Sequence, residues 1–241
     1  MKSNALFCAL LSVFILFNSC KKSDKEVDKI TISIPKIKTI TYYKGDSITS
    51  HTSFEYDTSG KLSKSTYSNG QSFTFSYAPS NIIRTYYYII SEKPSIDTLI
   101  LNNKGLVISE EGGITTYEYT PEGYQSKLTI DASPKTSQTY TSLDGNIIKN
   151  TERNYNDVRY IHTYTFLSDI INTIGNENMG ITYFGKQDKN LKSKDNTIDL
   201  RDNKTFQLTY EYEFDTKNRV TKLKKIGWYS YNDSETYTYY E

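Results

Sequence analysis

The sequence predicts an all-β protein: a strongly curved antiparallel meander of repeated hairpins, rolled as far as a partial barrel, soluble and not membrane-spanning. Three observations predict it. Aromatic and small polar side chains alternate over short runs, turn residues interrupt those runs at regular spacing, and helical periodicity is hard to find past residue 30.

The chain begins differently. Residues 1–4 carry one charge, Lys2, and residues 5–17 form an uncharged apolar run. At 1.5 Å per residue such a run spans about 20 Å as a helix, short of the roughly 30 Å of a bilayer core. A basic start before an apolar run of this length is the pattern of a secretory signal peptide. The run ends in Phe17-Asn-Ser-Cys20, and a very polar segment, Lys21-Lys-Ser-Asp-Lys-Glu26, follows. This junction resembles a bacterial lipoprotein signal, the other reading being an ordinary secretory signal with an incidental cysteine. The resemblance implies cleavage before Cys20, a diacylglyceryl thioether on its sulfur and acylation of the new N-terminus, and so a partner in the outer membrane. Two or three acyl chains, at about 0.8 kcal/mol per buried CH₂, anchor stably where one does not. The expected organisation is therefore a signal peptide at 1–19, a lipidated Cys20 with a polar tether over 20–29, and one β domain over 30–241. Some Bacteroidetes surface lipoproteins carry an acidic stretch after the cysteine. Here Lys21 and Lys22 depart from that and only Asp24 and Glu26 echo it, so the periplasmic and the surface side both stay open.

Composition narrows the chemistry. The chain has 23 Tyr and 10 Phe but 2 His and 2 Cys, and 29 Lys and Arg stand against 28 Asp and Glu. Removing residues 1–19 takes Lys2 and balances the charges. Both cysteines, Cys8 and Cys20, lie ahead of the body, which excludes a disulfide framework or Cys-ligated zinc there. No basic patch of the nucleic-acid-binding kind is present. No cofactor and no metal are expected.

In the body, Phe73-Thr-Phe-Ser-Tyr77, Tyr117-Glu-Tyr119, Tyr210-Glu-Tyr-Glu-Phe214 and Tyr237-Thr-Tyr239 each place aromatics on one face of a strand. Turns at Asp57-Thr-Ser-Gly60, Asn102-Asn-Lys-Gly105, Pro121-Glu-Gly123, Leu143-Asp-Gly145 and Asp215-Thr-Lys-Asn218 supply the residues that tight hairpins need. The units repeat. Phe54-Glu-Tyr-Asp-Thr-Ser-Gly-Lys-Leu-Ser-Lys64, Tyr117-Glu-Tyr-Thr-Pro-Glu-Gly-Tyr-Gln-Ser-Lys127 and Tyr212-Glu-Phe-Asp-Thr-Lys-Asn-Arg-Val-Thr-Lys222 share one template: aromatic-x-aromatic, a turn, then x-apolar-x-Lys. The exception is 175–204, rich in Asn, Asp, Lys and Gly, which reads as a long polar loop with a short helix or irregular turn near 185–191.

The hairpin template is similar to the tyrosine–aspartate repeats of Rhs-type shell proteins. A closer resemblance, carried by Tyr183-Phe-Gly-Lys-Gln-Asp-Lys-Asn-Leu191, the strand Tyr210-Glu-Tyr-Glu-Phe214 and the turn Asp215 to Asn218, is to a family of Bacteroidetes lipoproteins of unknown function with a porin-like β fold. It implies a fold and a location and no activity. A membrane-spanning barrel needs a lipid-facing apolar band about 25 Å tall. Here the non-aromatic strand faces carry Thr, Ser, Glu and Lys, so the aromatic stripe is expected to fill the concave side of a soluble sheet.

Candidate sites are few. His162, in Tyr160-Ile-His-Thr-Tyr164, shares a face with two tyrosines and reads as a packed histidine rather than a base. His51 reads as exposed. Trp228, with Tyr229 and Tyr231, is either a stacking platform for a sugar or peptide or core packing in the last hairpin. Asp46-Ser47-Ile48 and Asp97-Thr98-Leu99 match the short pattern at which Bacteroidetes O-glycosylate exported proteins, which makes Ser47 and Thr98 modification candidates. The function expected is an outer-membrane-anchored scaffold that presents a binding surface to a glycan, peptide or partner protein. The alternatives are a carboxylate-dependent envelope hydrolase such as a glycosidase, and a structural spacer.

Overall fold

The computed structural model describes residues 34–241, apart from 92, 111, 228 and 229 and the side chains of 230–232. These residues form sixteen strands: β1 (Ile37–Lys44), β2 (Ser47–Tyr56), β3 (Leu62–Tyr67), β4 (Ser72–Tyr77), β5 (Asn81–Tyr87), β6 (Ser95–Leu101), β7 (Val107–Glu110), β8 (Thr115–Tyr119), β9 (Gln125–Ile130), β10 (Thr136–Leu143), β11 (Asn146–Asn154), β12 (Asp157–Ile171), β13 (Asn190–Asp199), β14 (Lys204–Phe214), β15 (Val220–Gly227) and β16 (Ser230–Tyr239). Each pairs antiparallel with its chain neighbours, and β16 returns to β1 to close the barrel, with Ile40 opposite Tyr237 and Tyr42 opposite Glu235. The signal peptide, Cys20 and the tether expected from the sequence lie outside the described residues.

The aromatic faces turn inward, as the alternation predicts. Phe73, Phe75 and Tyr77 stand opposite Tyr86, Arg84 and Ile82, and Tyr210 and Tyr212 opposite Lys225 and Leu223. The outer wall carries the other half of the template. Glu55 faces Lys64, Glu118 faces Lys127 and Glu213 faces Lys222 across each turn, at 3.6, 3.0 and 3.1 Å. The turn residues Gly60, Gly105, Gly123 and Gly145 all adopt positive φ, and all sit at one end of the barrel.

Sixteen strands about 4.8 Å apart give a perimeter of roughly 77 Å before tilt, a ring that wall side chains alone do not fill. One end is filled instead by residues 172–189, the β12–β13 connection, which folds across the turns as a cap. Four strands donate an N–H to it at or one residue past their start: Ile37 to the Asn178 carbonyl (3.0 Å), Leu62 to the Gly180 carbonyl (3.1 Å), Ile147 to Asp188 Oδ1 (2.6 Å) and Val220 to Thr173 Oγ1 (3.0 Å). Beneath the cap lies a dry layer in which Ile37, Ile82, Leu99, Val107, Leu191 and Val220 are fully buried. Both apolar clusters of the interior lean on the cap, through Met179 and Ile181 on one side and Tyr183 and Phe184 on the other. Tyrosines closing the even strands staple this layer. Tyr56, Tyr77, Tyr119 and Tyr239 donate their hydroxyls to the carbonyls of Ile37, Leu62, Val107 and Val220, which start the preceding odd strands, at 2.6–2.8 Å.

Two expectations change. The partial barrel is a full one, because β1 and β16 pair over seven register positions and leave no free sheet edge. The polar loop at 175–204 ends at residue 189. Its second half is β13, the turn after it and the start of β14, and a single 3₁₀ turn falls among the described residues at Thr182–Phe184, ahead of the 185–191 expected for it. Strand β13 is polar because ladders to both β12 and β14 hold it, and its inward Asp195 and Asp199 find cations rather than apolar neighbours.

The cap also depends on two glycines. A Cβ on Gly180 (φ +68°) would lie 2.8 Å from the Gly60 carbonyl oxygen and the Leu62 nitrogen, and one on Gly185 (φ +84°) 2.8 Å from the Gly123 carbonyl oxygen. Gly105 (φ +74°) has open space around it. Gly105→Ala should therefore cost only the left-handed backbone term, about 1–2 kcal/mol, while Gly180→Ala and Gly185→Ala should each add about 1–3 kcal/mol of overpacking. Thermal unfolding followed by circular dichroism checks this; equal losses at all three positions would refute the packing of the cap.

Candidate functional site

The interior changes character along the barrel axis. Below the cap it is dry; toward the other end the inward side chains are only half-buried, and the wall becomes aromatic and ionic. Strand alternation from β3 to β5 brings Tyr67, Phe73 and Tyr86 into one ladder of edge contacts, with centroids 5.4 and 4.6 Å apart. Tyr86 and the exposed Tyr88 lie parallel at 6.2 Å, extending the ladder into the β5–β6 connection.

Charges are set into this wall in three places. Arg84 on β5 is ion-paired to Asp97 on β6 and lies 3.7 Å from Glu110 on β7. Its guanidinium stacks on Tyr86, and Glu110 accepts the Tyr117 hydroxyl at 2.9 Å. His162 on β12 lies between Glu152 on β11 (3.4 Å) and Asp195 on β13 (3.5 Å). Its Nδ1 bonds Thr197 Oγ1 at 2.8 Å, and that hydroxyl donates to Asp195. Nε2 faces Glu152 without hydrogen-bond alignment, an attraction of charge only. Lys225 on β15 pairs with Glu235 on β16 at 2.5 Å, sits opposite Asp233, and shares Glu235 with the Tyr237 hydroxyl. Each trio sets two carboxylates against one cation and so leaves one negative charge in excess.

Asp195, and after it Glu152, favour the protonated imidazole and raise the His162 pKa to about 9 despite its burial. Burial pushes Tyr140 and Tyr210 up to about 12, so the wall's hydroxyls remain donors at neutral pH. Among the described residues no group of three or more His, Cys, Asp or Glu is arranged to hold a metal ion. In the His162 trio the ring stands between its acids and turns one nitrogen to each, so the three do not converge on a point.

The sequence-predicted residues are dispersed. His162 does share its face with Tyr160 and Tyr164, at 6.3 and 6.2 Å, and His51 is exposed on the outer wall. Ser47 is exposed at the start of β2, and Thr98 lies half-buried on the outer wall opposite Ile83. Trp228, Tyr229 and the Tyr231 side chain lie outside the described residues. The trios themselves are absent from the sequence reading. Their signal is a charged residue two positions from an inward aromatic, as in Arg84 and Tyr86, His162 and Tyr164, or Glu235 and Tyr237.

A closed antiparallel barrel with an aromatic, ionic interior places the chain beside known porin-like folds. It is similar to a porin-like protein from Bacteroides uniformis (TM-score 0.61, 15% identity, covering 85% of this chain and 95% of that one). It is also similar to a porin-like protein from Bacteroides vulgatus (TM-score 0.60, 12% identity, covering 86% and 99%). At these identities the likeness is one of fold. No family model and no curated protein matches the sequence.

A histidine whose folded pKa lies above its unfolded value adds stability that is complete below about pH 6.5 and disappears as pH rises through about 9. His162→Gln should therefore lower the melting temperature at pH 6 and have a much smaller effect at pH 10. The His162 ring signals, assigned by their loss in His162→Gln, should titrate with a midpoint near 9; a midpoint near 6.5 for those signals would refute the trio.

Proposed function

We propose that this protein is an outer-membrane-anchored lipoprotein whose barrel stands in water and whose open, tyrosine-lined interior binds a glycan. The observation that carries the reading is the distribution of side chains between the two walls. The outer wall presents Ser137, Thr139 and Thr141 on β10, and Thr205, Gln207, Thr209, Glu211 and Glu213 on β14, where a lipid belt would require apolar residues. The inner wall presents rings and ionised acceptors, the combination that packs on sugar faces and takes up hydroxyl protons. The cap closes one end, so the interior is a cup rather than a passage. Anchoring rests on the apolar run that stops at Cys20, and the Bacteroides origin of both porin-like neighbours agrees with an envelope location.

Carboxylate-dependent hydrolysis is the second reading, favoured by the paired acids of the trios. Glycosidases need the space between their carboxylates for substrate and water. Here Arg84 and His162 occupy that space, which supports binding over turnover.

Two outcomes are expected. Cys20→Ser should abolish incorporation of labelled palmitate and release the protein from the membrane fraction; unchanged labelling would refute the anchor. On a panel of immobilised polysaccharides the native protein should be retained by at least one, without degrading it. Tyr88→Ala, a change at an exposed ring, should weaken that retention at least fivefold with little change in melting temperature. Retention by none would remove the glycan, and release of reducing ends would favour the hydrolase.

A further inference from the structure

We propose that the open rim carries a second site, at the turn between β11 and β12, for a saccharide bearing carboxylate, sulfate or phosphate groups. Binding here does not depend on binding within the cup. Two grooves, of about 400 and 210 Å³, adjoin at Tyr155 in the turn between β11 and β12. Five cations line them, Lys127, Lys135 and Arg153 in the first and Arg159 and Arg201 in the second, against one acid, Asp157. Lys127, Lys135 and Arg201 are already paired, with Glu118, Asp131 and Asp199. Among the described residues Arg153 and Arg159 have no carboxylate partner. Arg153 gives one bond to the Asn156 carbonyl (3.2 Å), and Arg159 keeps a buried Nε without a hydrogen-bond partner. Arg159 and Arg201 lie against the same ring, Tyr160, at 5.0 and 6.0 Å, so one ring holds both guanidinium groups at the rim.

Tyr155 is the second, separate observation. It is the first residue of a two-residue turn, has φ +54° and is 59% exposed. The two-residue turn between β1 and β2 puts Gly45 in that place, with φ +61°. A bulky side chain in the left-handed region is a backbone outlier, costing on the order of 1–2 kcal/mol that glycine would avoid. The turn itself has no use for the ring, which stands in open water as a shared wall of both grooves. A flat ring between two unpaired guanidinium groups suits an acidic sugar: the ring takes the pyranose face, and the guanidiniums take the anion in their planar fork. A free inorganic anion would use the arginines and leave the ring idle.

Isothermal titration of the purified protein at physiological salt tests this, with dextran sulfate, neutral dextran of matched length and inorganic phosphate as probes. Dextran sulfate should bind and neutral dextran should not. The double variant Arg153→Gln/Arg159→Gln should weaken binding at least tenfold. A charge-matched pair away from this turn, Lys64→Gln/Lys222→Gln, should change it less than twofold. Tyr155→Gly should weaken binding at least threefold while leaving the melting temperature equal or higher, since glycine relieves the turn. Four results would overturn the proposal: no binding of dextran sulfate, equal losses in the two double variants, unchanged affinity in Tyr155→Gly, or binding to phosphatidylglycerol vesicles without binding to dextran sulfate. The third would leave a patch for simple anions and the fourth a membrane contact.

Discussion

Everything in this barrel depends on how one of its ends is stopped. A ring of sixteen strands closes easily, but closure leaves an interior too broad for its own side chains to dry. At or one residue past the starts of their strands, Ile37, Leu62, Ile147 and Val220 point their N–H groups at that space. An unpaired buried N–H costs about 1–3 kcal/mol, so four of them would offset much of the stability of an ordinary domain. Residues 172–189 answer all four at once, from strands β1, β3, β11 and β15, and so tie distant parts of the ring to one segment. The buried Asn146–Asn190 pair fixes the end of that segment, with each side chain bonded to the other residue and Asn190 also holding the Ser168 carbonyl. The cap thus acts as a stopper that makes a core possible.

The gradient of the interior follows from that stopper. Near the cap, tyrosine hydroxyls are used up on strand-start carbonyls, and aliphatic side chains fill the remaining space. One layer further from the cap none of the described residues covers the wall, and the same alternation now delivers tyrosines and charges to water. The trios belong to this intermediate zone. An arginine or histidine without its acids would be a half-buried unpaired charge, and two acids without their cation would repel. Together each trio carries one net negative charge with its cation set against acid, which lowers the cost of holding ionic groups in a wall of rings.

The hairpin was legible because its determinants are local. Gly60 or Asn218 in the turn, Tyr56 or Phe214 before it and Leu62 or Val220 after it lie within a few residues of one another, and the glutamate and lysine of each copy meet on the outer wall. Closure was not legible, since β1 meets β16 across nearly the whole chain and neither strand carries a mark of the other. Strand β13 was hidden for a related reason. Its pairing energy comes from two flanking ladders, and its inward residues are polar because their partners, His162 and Arg201, are polar. The trios were missed because each charge alone looks like an ordinary strand residue. Only the register sets Arg84 beside Asp97, or His162 beside Asp195.

The relation to porin-like folds turns on which face of each strand is aromatic. Because side chains alternate strictly, one frame of a strand sends its rings outward and the other sends them inward. A spanning barrel uses the outward frame, with an apolar belt toward lipid and a polar lumen. In this chain the inward frame dominates the described strands: Phe73, Tyr86, Tyr164, Tyr210 and Tyr237 face the axis, while threonine, lysine and glutamate, with isoleucines such as Ile83 and Ile100, face out. With its rings turned inward and one end stopped by residues 172–189, the barrel differs from that pattern in both respects. What remains is a cup with aromatic walls, and under the proposed reading a lipid on Cys20 is the means of holding that cup at a membrane.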